Sequence, residues 1–101
     1  MNQSHRSSNY FFRKSPSHYH MMLLVMSAHK GSEELSVEEL KTKLFKTSRP
    51  KSAIIITEAV EKGFFKLEKT SLDQRKKFIR PTDSFTKEFD DYIITLKSLV
   101  L

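Results

Sequence analysis

Residues 18–29 are apolar almost all round. Met21, Met22, Leu23, Leu24, Val25, Met26 and Ala28 leave no wide polar stripe, as expected of a central buried helix. Ser15–Pro16 or Ser17 offers its start, because proline is tolerated in a first helical turn, and Gly31 closes it. In "LSVEELKTKLF" Ser36 and Glu39 match a capping box, so a second helix begins at Val37. Val37, Leu40, Leu44 and Phe45 would supply its inner face, with Glu38, Lys41 and Lys43 outside. After a very short break, "KTSRPKSAIIITEAVEKG" predicts a third helix, capped by Ser48 or Arg49, with Pro50 in its first turn and Gly63 as its stop. Ile54, Ile55, Ile56 and Thr57 argue locally for a strand, but the caps and the Ala, Glu and Lys content outweigh them.

The period then changes from helical to two. "FFKLEK" alternates Phe65 and Leu67 with Lys66 and Glu68, and "KFIR" alternates likewise. Between them "TSLDQRK" is too long for a two-residue turn and too charged for a core, which predicts a hairpin with a cationic tip. Pro81 ends the second strand and Thr82 caps a last helix. There Phe85, Phe89, Tyr92, Leu96 and Leu99 are spaced 4, 3, 4, 3, an a/d seam that Ile93 and Val100 widen. Residues 1–15, rich in Ser, Asn and basic residues, show no sustained period and are expected to form a flexible basic arm, with Tyr10, Phe11 and Phe12 as an anchor onto the core or a partner. The expected domains are that arm, a winged helix-turn-helix over 16–81 and a C-terminal dimerisation helix over 82–101. The fold class is mainly α with a small β-hairpin.

Composition narrows the chemistry. A chain of 101 residues without cysteine is one small domain lacking disulfides and thiolate metal sites. Its longest apolar run is too short to cross a bilayer and its start carries no secretory signal, so a cytoplasmic protein with no membrane partner is expected. The net charge of +6 is unevenly spread. Residues 41–80 hold twelve Lys and Arg against four acids, a net +8, while the rest hold six against eight, a net −2. A basic lobe with acidic flanks is the footprint of phosphate-backbone binding.

Placement on the elements sharpens that reading. A helix fits the major groove of B-DNA, and its first turn brings side chains to base edges and free N–H groups to phosphate. That turn holds Ser48, Arg49, Lys51 and Ser52. Arg49 and Lys51 oppose the positive end of their own helix dipole, a cost of a few tenths of a kcal/mol that an arriving phosphate would reverse. In the hairpin, Arg75, Lys76 and Lys77 would lie over the neighbouring backbone, with Asp73 holding Arg75 by an ion pair. The apolar residues of "LKSLVL" favour a dimer partner for the last helix.

Within this frame "DQRKKFIRPT" resembles the wing signature of MarR-type (multiple-antibiotic-resistance) regulators. "SVEELKTKL" resembles their first reader helix, and "ITEAVEKGFF" the end of their recognition helix. The similarity covers about residues 20–100. It implies a dimer on pseudo-palindromic operator DNA, with Asp73 and Arg75 matching the family's wing pair. Pro81 departs from the leucine usual there. The chain is also shorter than a usual member by a few helices' worth, which argues against a small-molecule effector without closing the question.

Other chemistry has little support. His18 and His20 point about 200° apart on a helix and cannot share a metal. With two glycines there is no phosphate loop, and no nucleophile stands at a fixed spacing from a base. No enzyme, cofactor or metal is expected. The expected function is sequence-specific binding of double-stranded DNA by a homodimeric transcriptional regulator. The alternatives are a winged-helix module for an acidic protein partner, using the Ile54–Ile56 face and the C-terminal seam, and more weakly an RNA binder.

Overall fold

The computed structural model describes residues 8, 10–44, 46–69 and 76–100. Four helices and one hairpin follow in the order α1 (Pro16–Lys30), α2 (Val37–Lys43), α3 (Arg49–Glu61), β1 (Phe65–Lys69), β2 (Lys77–Pro81) and α4 (Asp83–Val100). The caps act where their residues stand. Ser15 Oγ accepts from the His18 N–H at the start of α1. In the capping box of α2, Ser36 Oγ accepts from the Glu39 N–H at 3.0 Å, while the Glu39 carboxylate accepts from the Ser36 N–H at 3.1 Å. Ser48 Oγ accepts from the Lys51 N–H at 3.2 Å to open α3. After α3 the chain reverses at Gly63, whose φ of +80° favours a residue without Cβ.

β1 and β2 pair antiparallel from Phe65↔Pro81 to Lys69↔Lys77. A third short edge joins them: Ser36 bridges Phe78, and the Ile79 N–H donates to the Leu35 carbonyl at 2.9 Å. One residue, Ser36, thus caps α2 and ties it to the hairpin. Among the described residues of the hairpin, Phe65, Ile79 and Pro81 are buried. Leu67, expected inward from its alternation and paired with Ile79, is 38% exposed and borders an open space shared with Ala53 and Thr57 of α3.

The core is aromatic at one end and aliphatic at the other. Met21, Val25 and Met26 of α1 share the apolar cluster with Leu40 and Leu44 of the α2 segment and Ile55, Ile56 and Ala59 of α3. Phe12, Phe64, Phe65 and Phe85 pack with ring centroids 5.2–5.9 Å apart, at a spacing where edge-to-face and tilted pairs are favourable. Phe11 and Phe12, on a helical turn at residues 10–12, are 1% and 2% exposed. Of the expected anchor residues, Phe11 and Phe12 are buried in the core and Tyr10 is 75% exposed, so the arm is not flexible at this point; residues 1–7 and 9 lie outside the described residues. Thr82 caps α4 by accepting from the Phe85 N–H, and its hydroxyl donates to the Gly63 carbonyl at 2.7 Å, fixing α4 to the α3–β1 turn. Among the described residues no helix is long and apolar enough to cross a membrane.

Candidate nucleic-acid interface

Helical geometry sorts α3 into two faces. At 100° per residue, positions 52, 55, 56 and 59 fall on one stripe, and Ser52, Ile55, Ile56 and Ala59 are the residues that are buried. Lys51, Ile54 and Thr57 fall on the other side and are exposed. The β-branched run thus serves a helix, with two isoleucines in the core and Ile54 60% exposed in its middle.

This corrects Ser52 as a contact residue. It is fully buried, one turn after Ser48 and on the stripe that carries Ile55 and Ile56, and its Oγ has no hydrogen-bond partner among the described residues. Ser48 is exposed, though its hydroxyl already caps the helix. Lys51 is exposed. Arg49 is exposed too, and its guanidinium pairs with Glu38 of α2, whose other oxygen lies 3.6 Å from Lys41 Nζ. An ion pair this exposed is worth at most about 1 kcal/mol, so a phosphate competes for Arg49 on equal terms.

Of the expected hairpin residues, Asp73 and Arg75 lie outside the described residues, as does Phe45. Lys76 and Lys77, both exposed, share a trough of about 350 Å³ with Glu38 and Lys41 of α2 and with Ala53 and Thr57 of α3. The carboxyl of Glu39 is held below the usual carboxylate range, first by its hydrogen bond to the Ser36 backbone and more weakly by the Lys76 charge. Arg80, also in the cationic run, is held inside the chain, with Nε 2.7 Å from Glu68 and a guanidinium nitrogen 3.7 Å from Glu34.

The C-terminal seam divides in two. Phe85 is 4% exposed and Phe89 packs against the same core, so the expected dimer role is corrected for Phe85. Its first-turn position puts it against Phe12, Phe64 and Phe65, with nothing left to offer a partner. Tyr92 is half-buried, while Leu96 and Leu99 are exposed along with Ile94. Ile54 and Thr57, exposed on the outer side of α3, were not among the expected DNA contacts, Ile54 having been named only as part of a protein-binding face. Their position two and five residues after Ser52, off its buried stripe, was the available signal.

The chain matches no protein-family model, and no curated protein matches it. Solved structures do. The heme sensor protein PefR from Streptococcus agalactiae, in complex with heme, superposes at a TM-score of 0.65 with 16% identity over 92% of this chain and 63% of that one. The S. aureus MepR–DNA complex gives 0.61 with 18% identity, covering 99% of this chain and 84% of that one. The adhesin competence repressor AdcR from Streptococcus pyogenes gives 0.56 with 16% identity, covering 87% and 65%. These are MarR-family regulators, and at such identities the likeness shows the fold, a winged helix-turn-helix. The chain spans about three-fifths of the length of the PefR structure.

Proposed function

We propose that this protein is a sequence-specific regulator that binds double-stranded DNA as a homodimer. The exposed side of α3 enters the major groove, and Lys76 and Lys77 lie on the flanking phosphates. The observation that carries this reading is the shared trough. Lys41, Lys76 and Lys77 line it together with Ala53 and Thr57 of α3, so one duplex can meet hairpin and helix at once. A protein of the same fold, MepR, has been solved in complex with DNA, which supports the reading.

In this arrangement Lys51, Lys76 and Lys77 supply sequence-independent affinity by releasing counterions. Arg49 leaves Glu38 for phosphate or a guanine edge, and Arg75 at the hairpin tip reaches a narrow minor groove. Ser48 contributes its cap and the direction of the free N–H groups of the first turn. Dimerisation falls to the distal half of α4, through Leu96 and Leu99 with Tyr92 at the edge. Phosphate would repel Glu58 and Glu61, so α3 enters by its N-terminal half.

Fluorescence anisotropy on a labelled duplex across a salt series tests this reading. The expected logarithmic slope is steep, and Lys76→Ala lowers it by about one unit across all sequences. A slope near zero, or one untouched by Lys76→Ala and Lys77→Ala together, contradicts it. An acidic protein partner in place of DNA would give the same weak, purely ionic retention on every duplex.

A further inference from the structure

Among the described residues nothing in the fold accounts for Ile54. It stands between Ala53 and the buried Ile55, 60% exposed on a helix whose other two isoleucines are in the core. A β-branched side chain lowers helix propensity at such a site, and wet apolar surface gains nothing for the chain. Its surroundings are charged and polar, cationic toward the start of α3 and acidic at Glu58 and Glu61 one and two turns on. Lys51 lies one turn before it and Thr57 one turn after it on the same side of α3, and Lys76 and Lys77 stand across the trough that Thr57 lines. The lysines of the N-terminal turn and of the trough bring a polyanion to this side of α3, so an exposed apolar side chain between Lys51 and Thr57 is aimed at whatever apolar group the polyanion presents.

In the major groove of a duplex that group is the thymine 5-methyl. Apart from small C–H edges, the other groups on a base edge there are hydrogen-bond donors or acceptors. An isoleucine pressed on guanine O6 or cytosine N4 would strip water from a polar group and return nothing. We infer that Ile54 is a specificity-determining residue that selects a thymine by packing on its 5-methyl group, with the Thr57 methyl one turn on extending the same strip. This rests on the reading of the protein as a DNA binder and adds which base its central helix position demands. Successive residues on the strip rise by about 4.5 Å, so Lys51 and Ile54 address neighbouring base pairs. The contribution of one buried methyl corresponds to about a fourfold change in affinity.

The test uses the duplex that the wild-type chain selects from a random pool. It is resynthesised with deoxyuridine for thymidine at one position of each half-site at a time, which removes the 5-methyl and nothing else. The wild type is expected to bind one such duplex about fourfold more weakly per contact. Ile54→Ala, whose helical signal and Tm should match wild type because the site is exposed, is expected to bind the thymidine and deoxyuridine forms equally. Indifference of the wild type to every replacement, or an undiminished methyl preference in Ile54→Ala, overturns the assignment while leaving specific DNA binding in place. Failure to select any duplex overturns the DNA-binding reading and this inference with it.

Discussion

Ser52 and Ile54 are two residues apart on one helix and meet opposite surroundings. The hydroxyl of Ser52 is buried with no partner among the described residues, and a buried polar group left unpaired costs about 1–3 kcal/mol. Ser52→Ala is therefore expected to raise Tm by several degrees, in keeping with about 1 kcal/mol in a domain this small, and to leave DNA affinity unchanged. Thermal unfolding and anisotropy read the two halves of that prediction. A loss of affinity at unchanged stability would return Ser52 to the interface. His18 is the other polar side chain held against its nature. Its ring is edge-on to Phe11 at 5.0 Å, and Nδ1 lies 2.7 Å from Ser15 Oγ. Burial, with the Lys14 ammonium next, holds its pKa below the ordinary value; Glu58 opposes this and Lys51 adds to it. The folded chain thus binds fewer protons there than the unfolded one. Stability should be complete above the ordinary histidine range and fall as pH drops through it toward the lowered value. Between about pH 8 and pH 5 the Tm of wild type should decline more than that of His18→Asn; parallel declines would refute the coupling.

At the scale of elements, most boundaries were legible because local chemistry and tertiary packing agree. Ser15, Ser36, Ser48, Gly63 and Thr82 each punctuate the chain as their side chains or backbone freedom require. What was not legible followed from packing between distant segments. Phe11 and Phe12 sit in a stretch without period, so the sequence left open whether they anchor onto the core or a partner, and their packing on Phe64 and Phe85 decides for the core. The heptad spacing of α4 is genuine, but spacing cannot tell whether a seam faces its own domain or another copy. Its first two positions face inward and its last two face solvent. Ser52 was misplaced for a related reason, since its residue type suits phosphate but its position on the helical wheel belongs to the core. The division of α4 yields a prediction. The paired change Leu96→Asp and Leu99→Asp should shift the molecule toward monomer in sedimentation and weaken specific binding far more than non-specific binding, with Tm little changed. An unaltered sedimentation coefficient would remove the distal half of α4 from the dimer.

Across the whole molecule, charge is arranged by contacts that differ in strength. Arg80 is held by Glu68 and Glu34, Lys30 by Asp90, and Arg49 is shared with Glu38. The basic stretch read from the sequence therefore divides into cations that brace the hairpin and cations at the trough. Ser36 caps α2 and bridges β2, so two of the trough's walls are tied through one residue. Walls tied in this way lose less on binding than walls a duplex must assemble. The central claim is that this trough and the outer side of α3 together read a duplex. Selection of bound duplexes from a random pool, followed by sequencing, tests it most directly. The expected product is an inverted repeat whose half-sites lie about one helical turn apart, roughly 10 base pairs. A pool that stays random after repeated rounds would contradict it.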